Sequence, residues 1–335
     1  MGHIGKQTIT FKEPPVITYA YATAGPKEVQ GPMGKYFDHP LEDELLGEDT
    51  WEKAEARMVQ LTIQGLLDRA GKTPADIHYI YAGDLQNQVI ASTFGVKDFN
   101  IPFFGLYGAC STMGESMTLA SMCIAGGMAD LVIAGTSSHN CAAEKQFRFP
   151  LEYGGQRTET QTWTTTASGF VLLSRCGEGP KVTSVTPGKI VDLGVTDTFN
   201  MGAAMAPAAV DTILAHLEDT NQTPNDFDAI ITGDLGNCGY DIAIDIAGKL
   251  GTDLSGVLQD CGKLMYDDEK QGTNCGGSGC GCIASIFTGY FYKQLVEKKL
   301  KKILIVPTGA LMSPGSTQQG NTIPGIAHAV CIEMK

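Results

Sequence analysis

Long apolar runs are missing from this chain of 335 residues. Its apolar stretches, 131–134 and 303–307 among them, are strand-sized and far below the roughly 20 residues that a spanning helix needs. Residues 1–10 hold no apolar segment of the signal-peptide kind, and Lys6 departs from the myristoylation pattern. Direct insertion into lipid is therefore not expected, and a cytoplasmic location is. Positive charge is also scarce, the formal net charge being -13. Phosphate backbones are bound by clustered Lys and Arg, so nucleic-acid binding is not expected. The one basic run, Lys298-Lys299-Leu300-Lys301-Lys302, follows the helix-like stretch 283–297, where cations suit a helix C-terminus. Cys275, Cys280 and Cys282 lack the paired spacing or nearby histidines of a zinc site. The glycines form neither a dinucleotide fingerprint nor a phosphate loop. No metal and no cofactor is expected. Ten cysteines without a secretion signal fit a reducing compartment, where most serve as small buried hydrophobes.

What the chain does contain is a repeat. Thr73-Pro74-x-Asp76-x-x-x-Ile80-x-x-Gly83-Asp84-Leu85-x-Asn87 recurs as Thr223-Pro224-x-Asp226-x-x-x-Ile230-x-x-Gly233-Asp234-Leu235-x-Asn237, an offset of 150 with eight of fifteen positions identical. Each copy follows a helical pattern, Trp51–Ala70 or 206–220, and enters a β-rich run, 77–82 or 227–232. More loosely, the turn 105–112 precedes a helical run at 113–125, and Gly276-Gly277-Ser278-Gly279 precedes another at 283–297. Buried-type strands follow both, at 131–134 and 303–307. This alternation predicts an α/β fold of two βαβαβ halves, about 1–180 and 181–335, with mostly parallel sheets. No linker separates the halves, so one compact pseudo-two-fold unit is expected.

Cys110 lies in Gly108-Ala109-Cys110-Ser111-Thr112, where a strand ends and a helix begins. A thiol there meets free backbone N–H groups and the helix dipole, which favour thiolate. Such a turn suits acyl transfer or the holding of a carboxylate; it also suits a cysteine buried for packing alone. Around it, the segment 136–161 gathers Ser137, Ser138, His139, Asn140, Arg148, Tyr153 and Arg157. It follows a strand whose C-terminal end lies beside that of the Cys110 strand if the sheet is parallel, the place where ligands collect in α/β sheets. Each of these residues has a plainer alternative. The arginines could pair with Glu144, Glu152 and Glu159 at the surface, His139 could satisfy a core carbonyl, and Tyr153 could pack at a bend. His328 reads as a core histidine, and the repeated Asp84 and Asp234 as braces of strand ends.

The Gly-Ala-Cys-Ser-Thr turn opening a small-residue helix, within a two-fold repeat, resembles the thiolase and ketoacyl-synthase superfamily. Within it the chain resembles the stage V sporulation protein AD family. The stretches that carry this include Ala24-Gly25-Pro26-Lys27-Glu28, Thr136-Ser137-Ser138-His139-Asn140, Gln146-Phe147-Arg148, Glu152-Tyr153-Gly154-Gly155-Gln156 and Ile326-Ala327-His328. The resemblance implies a thiolase-like fold layered α/β/α/β/α and a homodimer. It implies binding of dipicolinic acid (pyridine-2,6-dicarboxylate) or its calcium chelate. It also implies work with other proteins of a dipicolinate uptake complex, peripheral at the spore inner membrane. Active members of the superfamily pair their cysteine with His or Asn from the second half; here Gly233-Asp234-Leu235 stands where they commonly place His. A binding protein without catalysis is expected, with Cys110, Ser137, Ser138, His139, Arg148 and Tyr153 at the ligand. An acyltransferase using Cys110 as nucleophile, with His139 or His328 as base, is the alternative.

Overall fold

The computed structural model describes residues 2–147 and 157–334. Five strands of the first part, β1 (Val16–Ala24), β2 (Tyr79–Gly83), β3 (Phe103–Leu106), β4 (Leu131–Ser138) and β5 (Ala167–Ser174), are matched by five of the second. These are β6 (Lys181–Thr186), β7 (Ala229–Thr232), β8 (Leu258–Asp260), β9 (Lys302–Val306) and β10 (Ala329–Glu333). Their order is β8-β7-β9-β10-β6-β1-β5-β4-β2-β3, so both sets have the same internal order, mirrored about the centre. The two sets meet through a single antiparallel pair, Lys181 with Val16.

The sheets are more mixed than the sequence suggests. β2 runs parallel to β3 and β4, and β7 to β8 and β9. The last strand of each set returns antiparallel, β5 against β4 and β10 against β9.

Both faces of these strands are apolar, and the alternation of side chains sorts them into layers. Val132 and Ala134 of β4 enter a central core while Ile133 enters an outer one. Ile303 and Ile305 of β9 face that same central core, and Leu304 and Val306 face the opposite outer one. The outer layers are helices: α1 (Trp51–Ala70) over the first set, α3 (Met201–Thr220) and α4 (Gly236–Lys249) over the second. Helices α2 (Thr112–Ala125) and α5 (Cys280–Ile286) fill the middle, placing Met113, Met117, Ile283 and Ile286 between the sheets. The result is the α/β/α/β/α stack.

Local chemistry explains the repeated motif. In both copies the Thr-Pro-x-Asp string is a capping box, with Asp76 accepting from the Thr73 N–H at 2.8 Å and Asp226 from the Thr223 N–H at 2.7 Å. It ends the chain reversal after α1 and α3 and starts the run into β2 and β7. Helix α3 begins at Met201, earlier than expected from the sequence, because Asn200 caps the Ala203 N–H and Pro207 is carried inside the helix. Among the described residues no helix is long and apolar enough to cross a membrane.

Candidate functional site

The Cys110 turn is fixed by short polar links. Ser111 Oγ donates to Gly108 O at 2.7 Å, Thr112 Oγ1 to Ala109 O at 2.6 Å, and the Gly108 N–H to Thr112 Oγ1 at 3.1 Å. Ala109 takes a left-handed backbone at φ 50°, which turns the strand end sharply into α2. Gly309, just after β9, closes against this turn: a Cβ there would sit 2.1 Å from Gly108 O and 3.1 Å from the Cys110 N–H nitrogen. The two halves of the chain thus interlock at the thiol.

Across from Cys110 stands Asp234, at the end of β7 and 0% exposed. The repeated aspartates have parted company. Asp84 braces its strand end as the sequence suggests, accepting the Gln86 N–H at 2.9 Å and the Ser92 N–H at 2.7 Å. Asp234 does not, and neither of its oxygens makes a hydrogen bond of ordinary geometry. Asp260 braces the second half instead, accepting from Thr232 Oγ1 and from the backbones of Leu235, Gly236 and Lys263.

The expected thiolate is corrected as well. Burial first, then the charge of Asp234 and the nearby Cys280, hold the Cys110 thiol well above its ordinary pKa. The Gly279 N–H opposes them and loses. Burial likewise keeps the Asp234 carboxyl well above the usual carboxylate range, against the Cys110 thiol and the Thr308 N–H nearby. Burial thus biases both the thiol and the acid toward their neutral forms.

The segment after β4 is less open than the sequence implies. β4 extends to Ser138, so Ser137 and Ser138 are sheet residues, paired with Ser168 and Ala167 and fully buried. Ser137 Oγ donates to Glu55 Oε1 at 2.8 Å; Ser138 Oγ donates to Thr165 O at 2.7 Å and accepts the Gly281 N–H. His139 is 0% exposed, bonds Glu44 O through Nε2 at 2.9 Å, and burial lowers its pKa. Asn140 donates to Thr164 O. His328 accepts the Gly188 N–H at Nδ1, and burial pushes its pKa down to about 4. Arg148 and Tyr153 lie outside the described residues.

Two side chains not among the sequence candidates stand nearby. Trp163 lies in the short strand Trp163–Thr164, which pairs with Gly277–Ser278 just before the Gly279 N–H that faces Cys110. Lys27 Nζ sits 3.9 Å from the centre of its ring and the Arg157 guanidinium 4.7 Å, a doubled cation–π contact. Lys27 Nζ also donates to Gln271 O at 2.7 Å, and Arg157 reaches Thr162 O and Glu144. Behind them Glu28 is buried, accepting from the Thr166 N–H and the Tyr266 hydroxyl, its pKa raised by burial to about 7. Lys27 and Glu28 lie in the Ala24-Gly25-Pro26-Lys27-Glu28 stretch; that stretch was the available signal, but nothing in its spacing tied it to Cys110. Among the described residues no group of three His, Cys, Asp or Glu is placed to hold a metal ion.

The model of the Stage V sporulation protein AD family matches residues 5–333. The chain belongs to that family. It is 44% identical over 329 residues to Stage V sporulation protein AD of Bacillus subtilis (strain 168), covering 98% of this chain and 97% of that one. Among solved structures it is similar to 3-oxoacyl-[acyl-carrier-protein] synthase III from Aquifex aeolicus VF5, with a TM-score of 0.57 at 13% identity, covering 95% of this chain and 99% of that one. The priming beta-ketosynthase of the R1128 polyketide pathway gives a TM-score of 0.53 at 14% identity, with 96% and 97% covered. At such identities these two establish the thiolase-like fold of the family member and nothing of its chemistry.

Proposed function

We propose that this sporulation protein is a non-catalytic binder of dipicolinic acid or its calcium chelate, and that its site lies at the Cys110 turn. The observation that carries the reading is the Gly277–Ser278 ribbon, which pairs with the strand of Trp163, flanked by Lys27 and Arg157, and leads into the Gly279 N–H beside Cys110. A planar aromatic dicarboxylate needs cations for its charge and a flat apolar wall for its ring, and these residues are of that kind. Arg148 and Tyr153 are proposed as further contacts, with Ser137, Ser138 and His139 shaping the floor. The acyltransferase reading is disfavoured because Cys110 faces an acid where a base is needed, while His139 and His328 are held by other partners. The protein would act with partner proteins of an uptake complex that hold it at the spore inner membrane, as a homodimer.

Calorimetric titration with dipicolinate tests the reading, with benzoate and a Cys110→Ala variant as comparators. Saturable binding that discriminates against benzoate and weakens in the variant is expected. Absence of any binding by the folded protein, together with an acylated Cys110 after exposure to a thioester, would replace it with the acyltransferase reading.

A further inference from the structure

On the binding reading, one buried residue beside Cys110 decides how the ligand is held. Asp234 is enclosed by groups from every element around it. Cys110 faces it from the turn before α2, Cys280 and Cys282 from α5, and Asp260 and Cys261 from the end of β8 and the turn after it. None of these is a cation. The Cys110 thiol and, from beyond β9, the Thr308 N–H approach the carboxyl without reaching ordinary hydrogen-bond geometry. The side chain does not brace its strand end, since Asp260 carries the bracing that Asp84 carries in the other half. A carboxyl that is 0% exposed, approached by the Cys110 thiol and the Thr308 N–H but with no hydrogen bond of ordinary geometry to either oxygen, is costly unless something supplies a further partner. Without a cation, its neutral form is the one the surroundings accept.

We propose that Asp234 is a ligand-contacting residue that donates its carboxyl O–H to one carboxylate of the bound dianion, at the Cys110 end of the site. The ligand then completes the hydrogen bond that the fold leaves open, while its other carboxylate meets Lys27 or Arg157. An acid–carboxylate bond of this kind exists only while the proton is present. Once Asp234 ionises, two anions face each other, so binding is lost as pH rises. Above about pH 6.5 an ordinary carboxylic acid is already ionised, so the dianion itself no longer changes charge.

The test is titration of the intact protein, Asp234→Asn and Asp234→Ala with dipicolinate from about pH 6.5 upward, with melting curves as a folding control. Wild-type affinity falls at the alkaline end, approaching about tenfold per pH unit once Asp234 ionises. Asp234→Asn keeps an N–H donor, so its affinity stays within a few-fold of wild type and loses the alkaline fall. Asp234→Ala is weaker by about ten- to a hundredfold at every pH. Wild-type affinity in a folded Asp234→Ala, or an unchanged alkaline fall in Asp234→Asn, overturns the assignment and leaves the binding reading standing. If the folded wild type binds no dipicolinate at any pH, the reading itself falls and the assignment with it.

Discussion

Burial sets the ionisation of this protein more than ion pairing does, and it does so in two opposite directions. Glu28 and Glu55 are 0% and 1% exposed, with pKa values raised to about 7 and about 8, chiefly by burial. His216 and His328 are pushed down to about 4 for the same reason. The folded state therefore keeps carboxyl protons that the unfolded chain releases near 4.5, a contribution complete at low pH and lost as pH rises through about 7 to 8. The histidines contribute above 6.5, and their share is lost as pH falls toward about 4. Between about pH 4.5 and 6.5 the two contributions offset, so from these groups the melting temperature should be level there and fall toward about pH 9. Moving Glu28 from 4.5 to about 7 corresponds to a loss of order 3 kcal/mol on that alkaline side. Glu28→Gln keeps acceptors for Thr166 and Tyr266 and should flatten the fall; an equally steep decline in the variant would refute the account. The same burial predicts that iodoacetamide labels exposed Cys176 well before Cys110, read by peptide mass spectrometry. Early labelling of Cys110 would mean that its thiol is ionised after all.

At the scale of elements, the site depends on close approaches that only glycine allows. Replacing Gly309 by Ala puts a methyl group against the backbone of the Cys110 turn, so the variant should lose about 1–3 kcal/mol of stability and weaken dipicolinate binding together. A melting temperature and affinity both equal to wild type would show that the turn gives way freely. Much of this architecture could be read beforehand, because the Thr-Pro-x-Asp boxes and the strands after them are local signals that recur at a fixed offset. Strand β4 was harder. Gly135-Thr136-Ser137-Ser138 has loop composition, but pairing with β5 on one side and β2 on the other keeps it extended and buried. That is a tertiary effect, and it removed two hydroxyls from solvent. The divergence of Asp84 and Asp234 was equally hidden, since identical motifs acquire different neighbours only when Asp260 arrives from β8. The acid–thiol contact across the halves joins residues 124 positions apart, beyond any spacing rule.

For the whole molecule, β3 forms one edge of the sheet, where Phe104 is 48% exposed and stacks on Tyr81 with ring centres 4.8 Å apart. Among the described residues no further strand pairs with this edge, the sort of edge a second copy can extend. The expected homodimer would join there, and Phe104→Lys should shift sedimentation from dimer to monomer at micromolar concentration while leaving the melting curve little changed. A dimer unaffected by the substitution would place the interface elsewhere. The central layer has another consequence, for synthesis. Helix α2 is covered partly by residues that come much later in the chain: Gly114 lies against His328 and Pro307, and Met113 and Met117 share their core with Val330 and Ile332. Translation proceeds at about 5–20 residues per second, so the nascent first half waits roughly ten to thirty seconds for its cover. During that interval it presents an apolar helix to the cytosol, and its yield in the cell should depend on chaperones that shield it.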